Sequence, residues 1–238
     1  MKEDRGGLIW PDLIRGVLLK RYKRFLADVR LDDGGVVTAH CANTGSMRAC
    51  SEPGRPVFLS RRDDPKRKLK YTWEIIDMPS SRVGVDTGVP NRLVKAAAKA
   101  GKIAPLAEYR DVRSEVKIGP GVRLDLLLEG SGLPPCFIEI KNCTLVEKGE
   151  ACFPDAITER GRKHLLELAR LVDAGRRGVI FFLIQRMDAE VFRPADRIDP
   201  EYGLVLRRVA AAGVELMAYD VDISLDRIDL RKPVVIKL

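Results

Sequence analysis

The chain is short of the residues that mark several common protein classes. It has two histidines, His40 and His164, and its five cysteines (Cys41, Cys50, Cys136, Cys143, Cys152) form no C-x-x-C pair. That excludes the usual zinc-binding patterns and leaves at least one thiol unpaired, so the cysteines are expected as small free thiols in or near a core. No apolar run approaches the ~20 residues that cross a bilayer, and the opening MKEDRGGLIWPDLIRG has no signal-peptide character. A cytoplasmic protein without a membrane partner is expected. There is no repeat and no low-complexity tract, and 45% of the 238 residues are hydrophobic, enough for a sizeable core.

What is present is a lopsided charge. Residues 1–100 hold 20 Lys/Arg against 12 Asp/Glu, whereas residues 101–238 hold 22 of each, so the whole net charge of +8 lies in the N-terminal part. An excess confined to one module is the electrostatic footprint of a polyanion-binding surface, with nucleic acid, DNA first, as the expected partner. The same region alternates like β structure at Arg15–Lys20, Phe25–Leu31, Val36–Cys41, Pro56–Ser60, Leu69–Met78 and Arg82–Asp86, with a strong hairpin turn at Asp32-Asp33-Gly34-Gly35. Short strands over this length predict a small OB-like barrel over residues 1–87. Two stretches interleave cations and aromatics, KRYKRF at 20–25 and KRKLKYTW at 66–73. They make Arg21, Lys23, Arg24, Lys66, Arg67, Lys68 and Lys70 candidate strand contacts, since cations track phosphates while aromatic faces stack bases. Phe25 and Trp73 are expected in the barrel core.

At Pro90-Asn91 the texture changes. NRLVKAAAKA (91–100) reads as a helix closed by Gly101, followed by strands near Val112–Ile118, Val122–Leu128 and Cys136–Asn142. A helix is predicted from Thr158 to Ala174, with Ile157, Gly161, Leu165, Leu168 and Val172 as its apolar stripe, and VIFFLI (179–184) as a buried strand. A helix near Glu201–Ala212 and strands near Val214–Tyr219 and Val234–Lys237 complete the chain. The last of these could pair between chains, so a homodimer is one expected assembly. From Asn91 to Ile184 the order α-β-β-β-α-β is that of PD-(D/E)XK phosphodiesterases. The predicted fold class is therefore α/β (α+β), an OB-like barrel followed over residues 88–238 by a nuclease-like domain.

The chemistry centres on the second and third of those strands, RLDLLLEG and CFIEIK. A hairpin centred on Gly132 sets Asp125 opposite Glu139, and Glu139 shares its strand face with Lys141. Two carboxylates and a lysine on one patch suit Mg²⁺ or Mn²⁺, which take a few carboxylates, waters and substrate oxygens. Asp125 and Glu139 are the expected metal ligands, with the Ile140 carbonyl a further oxygen. Lys141 is expected to assist the nucleophile or the charge on phosphorus, and Glu115 on the preceding strand is a candidate fourth acid. Arg123 beside this hairpin, and Arg160, Lys163 and His164 on the following helix, are expected to grip phosphates. The plainer reading makes Glu139 and Lys141 the solvated face of an amphipathic strand.

These residues resemble the sugar fermentation stimulation protein family of bacteria and archaea over nearly the whole chain. The matching stretches are KRYKRFLADV (20–29), HCANTGSM (40–47), KRKLKYTWE (66–74), NRL (91–93), SEVK (114–117), RLD (123–125), IEIKNCTL (138–145), FPDAITERGRKHL (153–165) and VIFF (179–182). The resemblance implies the OB-like and PD-(D/E)XK nuclease-like domains, non-specific DNA binding and a proposed role in regulating sugar metabolism genes. It carries the nuclease motif onto Asp125, Glu139 and Lys141, with Leu124 where such nucleases often have proline. Asn43, Thr44 and Gly45 carry the N-terminal signature; either they form a turn that faces DNA, with Asn43 a contact, or they cap the structure. The leading expectation is metal-dependent hydrolysis of nucleic acid, and the alternative is a non-catalytic, non-specific DNA-binding regulator.

Overall fold

A computed structural model describes residues 1–119 and 121–238. Strands β1 (Lys2–Asp4) and β2 (Gly7–Ile9) come first, then β3 (Leu13–Tyr22), β4 (Leu26–Leu31), β5 (Val36–His40), β6 (Pro56–Arg61), β7 (Tyr71–Asp77) and β8 (Arg82–Gly84). Strands β3 to β7 hydrogen-bond in the order β5-β4-β3-β6-β7, and a parallel β5–β7 pairing closes the ring. A five-stranded Greek-key barrel closed in this way is the OB architecture. Alternation explains its interior, where Leu18, Val29, Ala39, Leu59 and Trp73 are all buried. The long strand β3 pairs with both β4 and β6, and at Gly16 the backbones approach so closely that a Cβ would lie 2.5 Å from Val29 and 2.8 Å from a backbone oxygen.

Two expectations for this half need correction. Residues 2–9 do not belong to the barrel: β2 pairs with a C-terminal strand, Arg227 clasps Asp4, and Leu8 and Trp10 bury in the other domain's core. Alternation reveals a strand but not which sheet it joins. Phe25, expected in the core, sits in the β3–β4 turn and is 48% exposed. Trp73 is buried as expected.

The second half contains α1 (Val89–Lys99), β9 (Asp111–Gly119), β10 (Val122–Glu129), β11 (Cys136–Cys143), β12 (Leu145–Glu147), β13 (Glu150–Phe153), α2 (Glu159–Asp173), β14 (Arg177–Ile184), β15 (Val191–Pro194), α3 (Pro200–Ala211), β16 (Glu215–Ile223), β17 (Arg227–Pro233) and β18 (Val235–Ile236). The large sheet runs β1-β2-β17-β16-β14-β11-β10-β9, with β11, β14 and β16 parallel to one another. Helix α1 covers one face over Leu126, Ile138, Ile140 and Phe181; α2 and α3 cover the other over Leu124, Ile180 and Phe182. Thr158 caps α2 by accepting from Gly161 N (3.0 Å), and Gly161, Leu165 and Leu168 are buried as the spacing predicts. Ile157, placed on that stripe by its spacing, precedes the cap and is 74% exposed. A small sheet, β12-β13-β15-β18, was not anticipated; the C-terminal strand β18 pairs with β15 on one side and is the outermost strand of that sheet.

Candidate functional site

The pairs Leu126↔Ile138, Leu127↔Phe137 and Leu128↔Cys136 are those of a hairpin centred on Gly132. The ladder ends at Leu126, and beyond it the strands splay. There Asp125 takes over the missing backbone partner, its Oδ2 accepting from Ile140 N at 2.7 Å. Leu124 and Leu126 then pack on opposite faces of the sheet, which strict alternation forbids; Glu115, on the neighbouring β9, has φ +56° at this point. The other Asp125 oxygen accepts from Asn91 at 2.7 Å. Asn91 is placed by the first turn of α1, whose start is fixed by Asp86: its carboxylate accepts from Gly88 N at 2.7 Å and from Arg92 at 3.2 Å.

Glu139 projects to the α2 side. Its Oε1 accepts from Lys141 at 2.7 Å and contacts His164 Nδ1, while Oε2 is buried without a partner. His164 Nε2 accepts from Arg160 at 3.4 Å, which leaves Nδ1–H to donate to Glu139. Asp125 and Glu139 titrate differently. Burial and then the Glu139 charge push Asp125 up to about 6, against a smaller pull from Ile140 N–H and Lys141. Burial also pushes Glu139 up, but His164 and Lys141 outweigh it and hold this carboxyl below its usual range.

A cleft of about 460 Å³ opens over these groups. Asp125, Glu139, Arg160 and His164 form its floor, and Glu115, Lys117 and Arg123 its β9–β10 wall. Glu115 is exposed and paired with Arg123 at 3.1 Å, so it stands at the mouth. Lys163 is exposed on α2 and does not line the cleft. His164, expected as a surface phosphate contact, is only 8% exposed and is committed to Glu139. Its spacing from Gly161 and Leu168 puts it on the apolar stripe, a signal the sequence did contain. Asn91 was missed as a site residue, although it lies in the NRL stretch.

The barrel candidates divide. Lys23 and Arg24 are exposed in a turn with positive φ, and Lys66, Lys68 and Lys70 are exposed in the β6–β7 connection. Arg67 donates to Thr72 at 3.0 Å. Arg21 is not a free cation: its guanidinium donates to the carbonyls of Arg24 (3.0 Å), Asn43 (2.9 Å) and Gly45 (2.9 Å). Asn43 is buried and its side chain accepts from Gly45 N at 2.8 Å, the capping alternative. The loop then meets the second half of the chain, where Asp155 accepts from Ser46 at 3.2 Å and Met47 N at 3.3 Å.

Among the described residues no three His, Cys, Asp or Glu side chains gather as a metal cage. Two converging carboxylates with one orphaned buried oxygen nevertheless fit a hard cation that completes its shell with water and substrate oxygens.

Comparison with known proteins fits this architecture. The family model described as "SfsA N-terminal OB domain" matches residues 19–85, and "Sugar fermentation stimulation protein RE domain" matches residues 88–227. The chain belongs to the sugar fermentation stimulation protein family. A sugar fermentation stimulation protein homolog of Geobacter sulfurreducens is 54% identical over 94% of this chain and 96% of its own length. The Maricaulis maris homolog is 51% identical over 95% and 97%. A solved structure described as Pyrococcus furiosus SfsA in complex with Ca²⁺ superposes with a TM-score of 0.89 at 26% identity, covering both chains fully. No helix among the described residues is long and apolar enough to cross a membrane.

Proposed function

We propose that this family member is a DNA-binding protein that hydrolyses phosphodiester bonds with a divalent cation, Mg²⁺ or Mn²⁺, held by Asp125 and Glu139. The observation that carries the reading is the pair of carboxylates in a cation-lined cleft, half-buried Asp125 lifted by burial and by the other's charge and buried Glu139 with an unpartnered oxygen. The cation would polarise a phosphoryl oxygen and acidify water. Ca²⁺, named with the Pyrococcus relative, is also a hard oxygen-seeking ion. Lys141 donates to Glu139 at 2.7 Å from outside the cleft lining, and its role would be to offset charge developing on the phosphoryl group. Asn91 and the Ile140 amide orient Asp125; His164 and Arg160 orient Glu139. Lys117, Arg123 and Arg160 line the cleft and would flank a bound strand, and the exposed lysines of the barrel would add phosphate contacts.

The second reading is a non-catalytic, non-specific DNA-binding regulator of sugar metabolism genes. Its supporting observation is that Lys141 already neutralises Glu139 and His164 Nδ1–H donates to it, so that carboxylate has partners without a cation. A cleavage panel of single-stranded, duplex and branched DNA and RNA with Mg²⁺ or Mn²⁺, run with wild type and Asp125→Ala, separates the two. Cleavage by wild type alone is expected. Salt-sensitive DNA binding by an inert wild type that Lys141→Ala leaves unchanged would overturn hydrolysis in favour of the second reading.

A further inference from the structure

A second cleft, of about 700 Å³, lies on the small sheet and has the size of a small-molecule site. Three segments build it: Arg48 from the barrel loop, Glu147 to Cys152 from the β12–β13 hairpin, and Arg193 to Ile198 from β15 and the turn after it. Leu145, Pro194 and Ala195 supply buried apolar surface. Three of its charges are spent locally, since Arg193 pairs with Glu150 at 3.1 Å and Asp196 with Arg207 at 2.6 Å. Arg48, Lys148 and Arg197 are in neither pair; all three are exposed, and Glu147 is the one carboxylate of the lining left outside those pairs.

We propose that this cleft binds a small organic phosphate, with Arg48, Lys148 and Arg197 on the phosphate and Glu147 accepting from hydroxyls of the organic part. Guanidinium groups brought to one cleft by separate segments suit a compact anion, which they can grip through paired N–H donors. The apolar surface favours an ester over the bare ion. Exposed Glu147 and Glu150 oppose a continuous phosphate backbone, which points away from nucleic acid at this place. Because Arg48 comes from the barrel and the other two cations from the second half, the ligand would bridge the two.

Titration calorimetry on the full chain tests this with glycerol 3-phosphate, a hexose 6-phosphate, inorganic phosphate, glycerol and a duplex oligonucleotide. Saturable binding of an ester with Kd about 1 mM or tighter is expected, with glycerol silent. Arg48→Ala and Arg197→Ala should each weaken it about tenfold, whereas Arg170→Ala, on α2 outside the cleft, should not. Cys152 gives a second readout: it lines the cleft and is the only partly exposed cysteine among the described residues, so bound ester should slow its alkylation. Four results overturn the proposal: no saturable ester binding up to about 10 mM, binding indifferent to both arginines, no protection of Cys152, or inorganic phosphate binding as tightly as the esters. Loss of oligonucleotide binding in Arg197→Ala, with no ester bound, would instead make the cleft a nucleic-acid contact.

Discussion

Replacing Asp125 by asparagine should stabilise the protein at neutral pH while weakening cation binding. An acid whose folded pKa is raised binds more protons folded than unfolded, so stability falls as pH rises from the ordinary value of 3.8 to about 6. A shift of ~2 units corresponds to about 3 kcal/mol, fully developed near pH 7 and only about 1 kcal/mol near pH 4.5. Asparagine removes that ionisation but has one amide oxygen for two donors, the Asn91 amide and Ile140 N–H, which costs about 1–2 kcal/mol. The variant should therefore gain about 1–2 kcal/mol over wild type near pH 7.5 and be no more stable than wild type near pH 4.5. Urea unfolding followed by circular dichroism in chelator-treated buffer reads the difference, in which groups titrating alike in both proteins cancel. Adding Mg²⁺ or Ca²⁺ should reverse the order at neutral pH, because the ion stabilises only a protein that binds it. A variant-minus-wild-type difference that stays flat with pH would refute the reasoning, and so would equal stabilisation of both proteins by the cation.

Arg21→Ala should lose about 2–3 kcal/mol, since three loop carbonyls lose a charged donor, and thermal unfolding will read it. Unchanged stability with lost DNA binding would return Arg21 to the nucleic-acid surface. Gly45→Ala should destabilise by about 1–3 kcal/mol because its Cβ would lie 2.4 Å from Asp155 Oδ2; in an Asp155→Ala background the loss should shrink, and a full loss there refutes the contact. Alanine at Lys66, Lys68 and Lys70 together should lower the slope of log K against log salt for DNA binding by about 2–3, whereas an unaltered slope removes this loop from the interface. Alkylation of native protein should modify one thiol, Cys152; burial pushes Cys50 up to about 11 and Cys136 to about 12, so rapid labelling of a second cysteine contradicts their burial.

The parts of the structure readable in the sequence are those set by periodicity and turn chemistry. The five barrel strands and β8 follow from alternation, the hairpin register follows from counting outward from Gly132, and α2 follows from a three-and-four spacing. What was hidden depends on partners distant in sequence. Nothing in KRYKRF distinguishes Arg21, which folds inward onto a loop more than twenty residues away, from Lys23 and Arg24, which do not. Alternation also cannot show where a ladder stops: Asp125 meets the Ile140 amide because the strands splay there, beside a Glu115 in the left-handed region. His164 was a different case. Helical spacing put it on the buried stripe, but the same spacing from Arg160 grouped it with the phosphate-gripping cations.

The splay at Asp125 bears on function as well as on prediction. Continued β10–β11 pairing would satisfy the Ile140 amide with a backbone carbonyl, and any strand-forming residue would serve at position 125. Instead a carboxylate does this work from a half-buried position beside a second carboxylate, and burial together with that charge lifts its pKa. A cost of about 3 kcal/mol is large against the ~5–15 kcal/mol that holds a typical domain together. Glu139, which lines the same cleft, is relieved by Lys141 and His164, whereas Asp125 has only neutral donors. The site is thus short of positive charge on the Asp125 side alone, which is where a cation would bind with most gain and where its removal would be felt first.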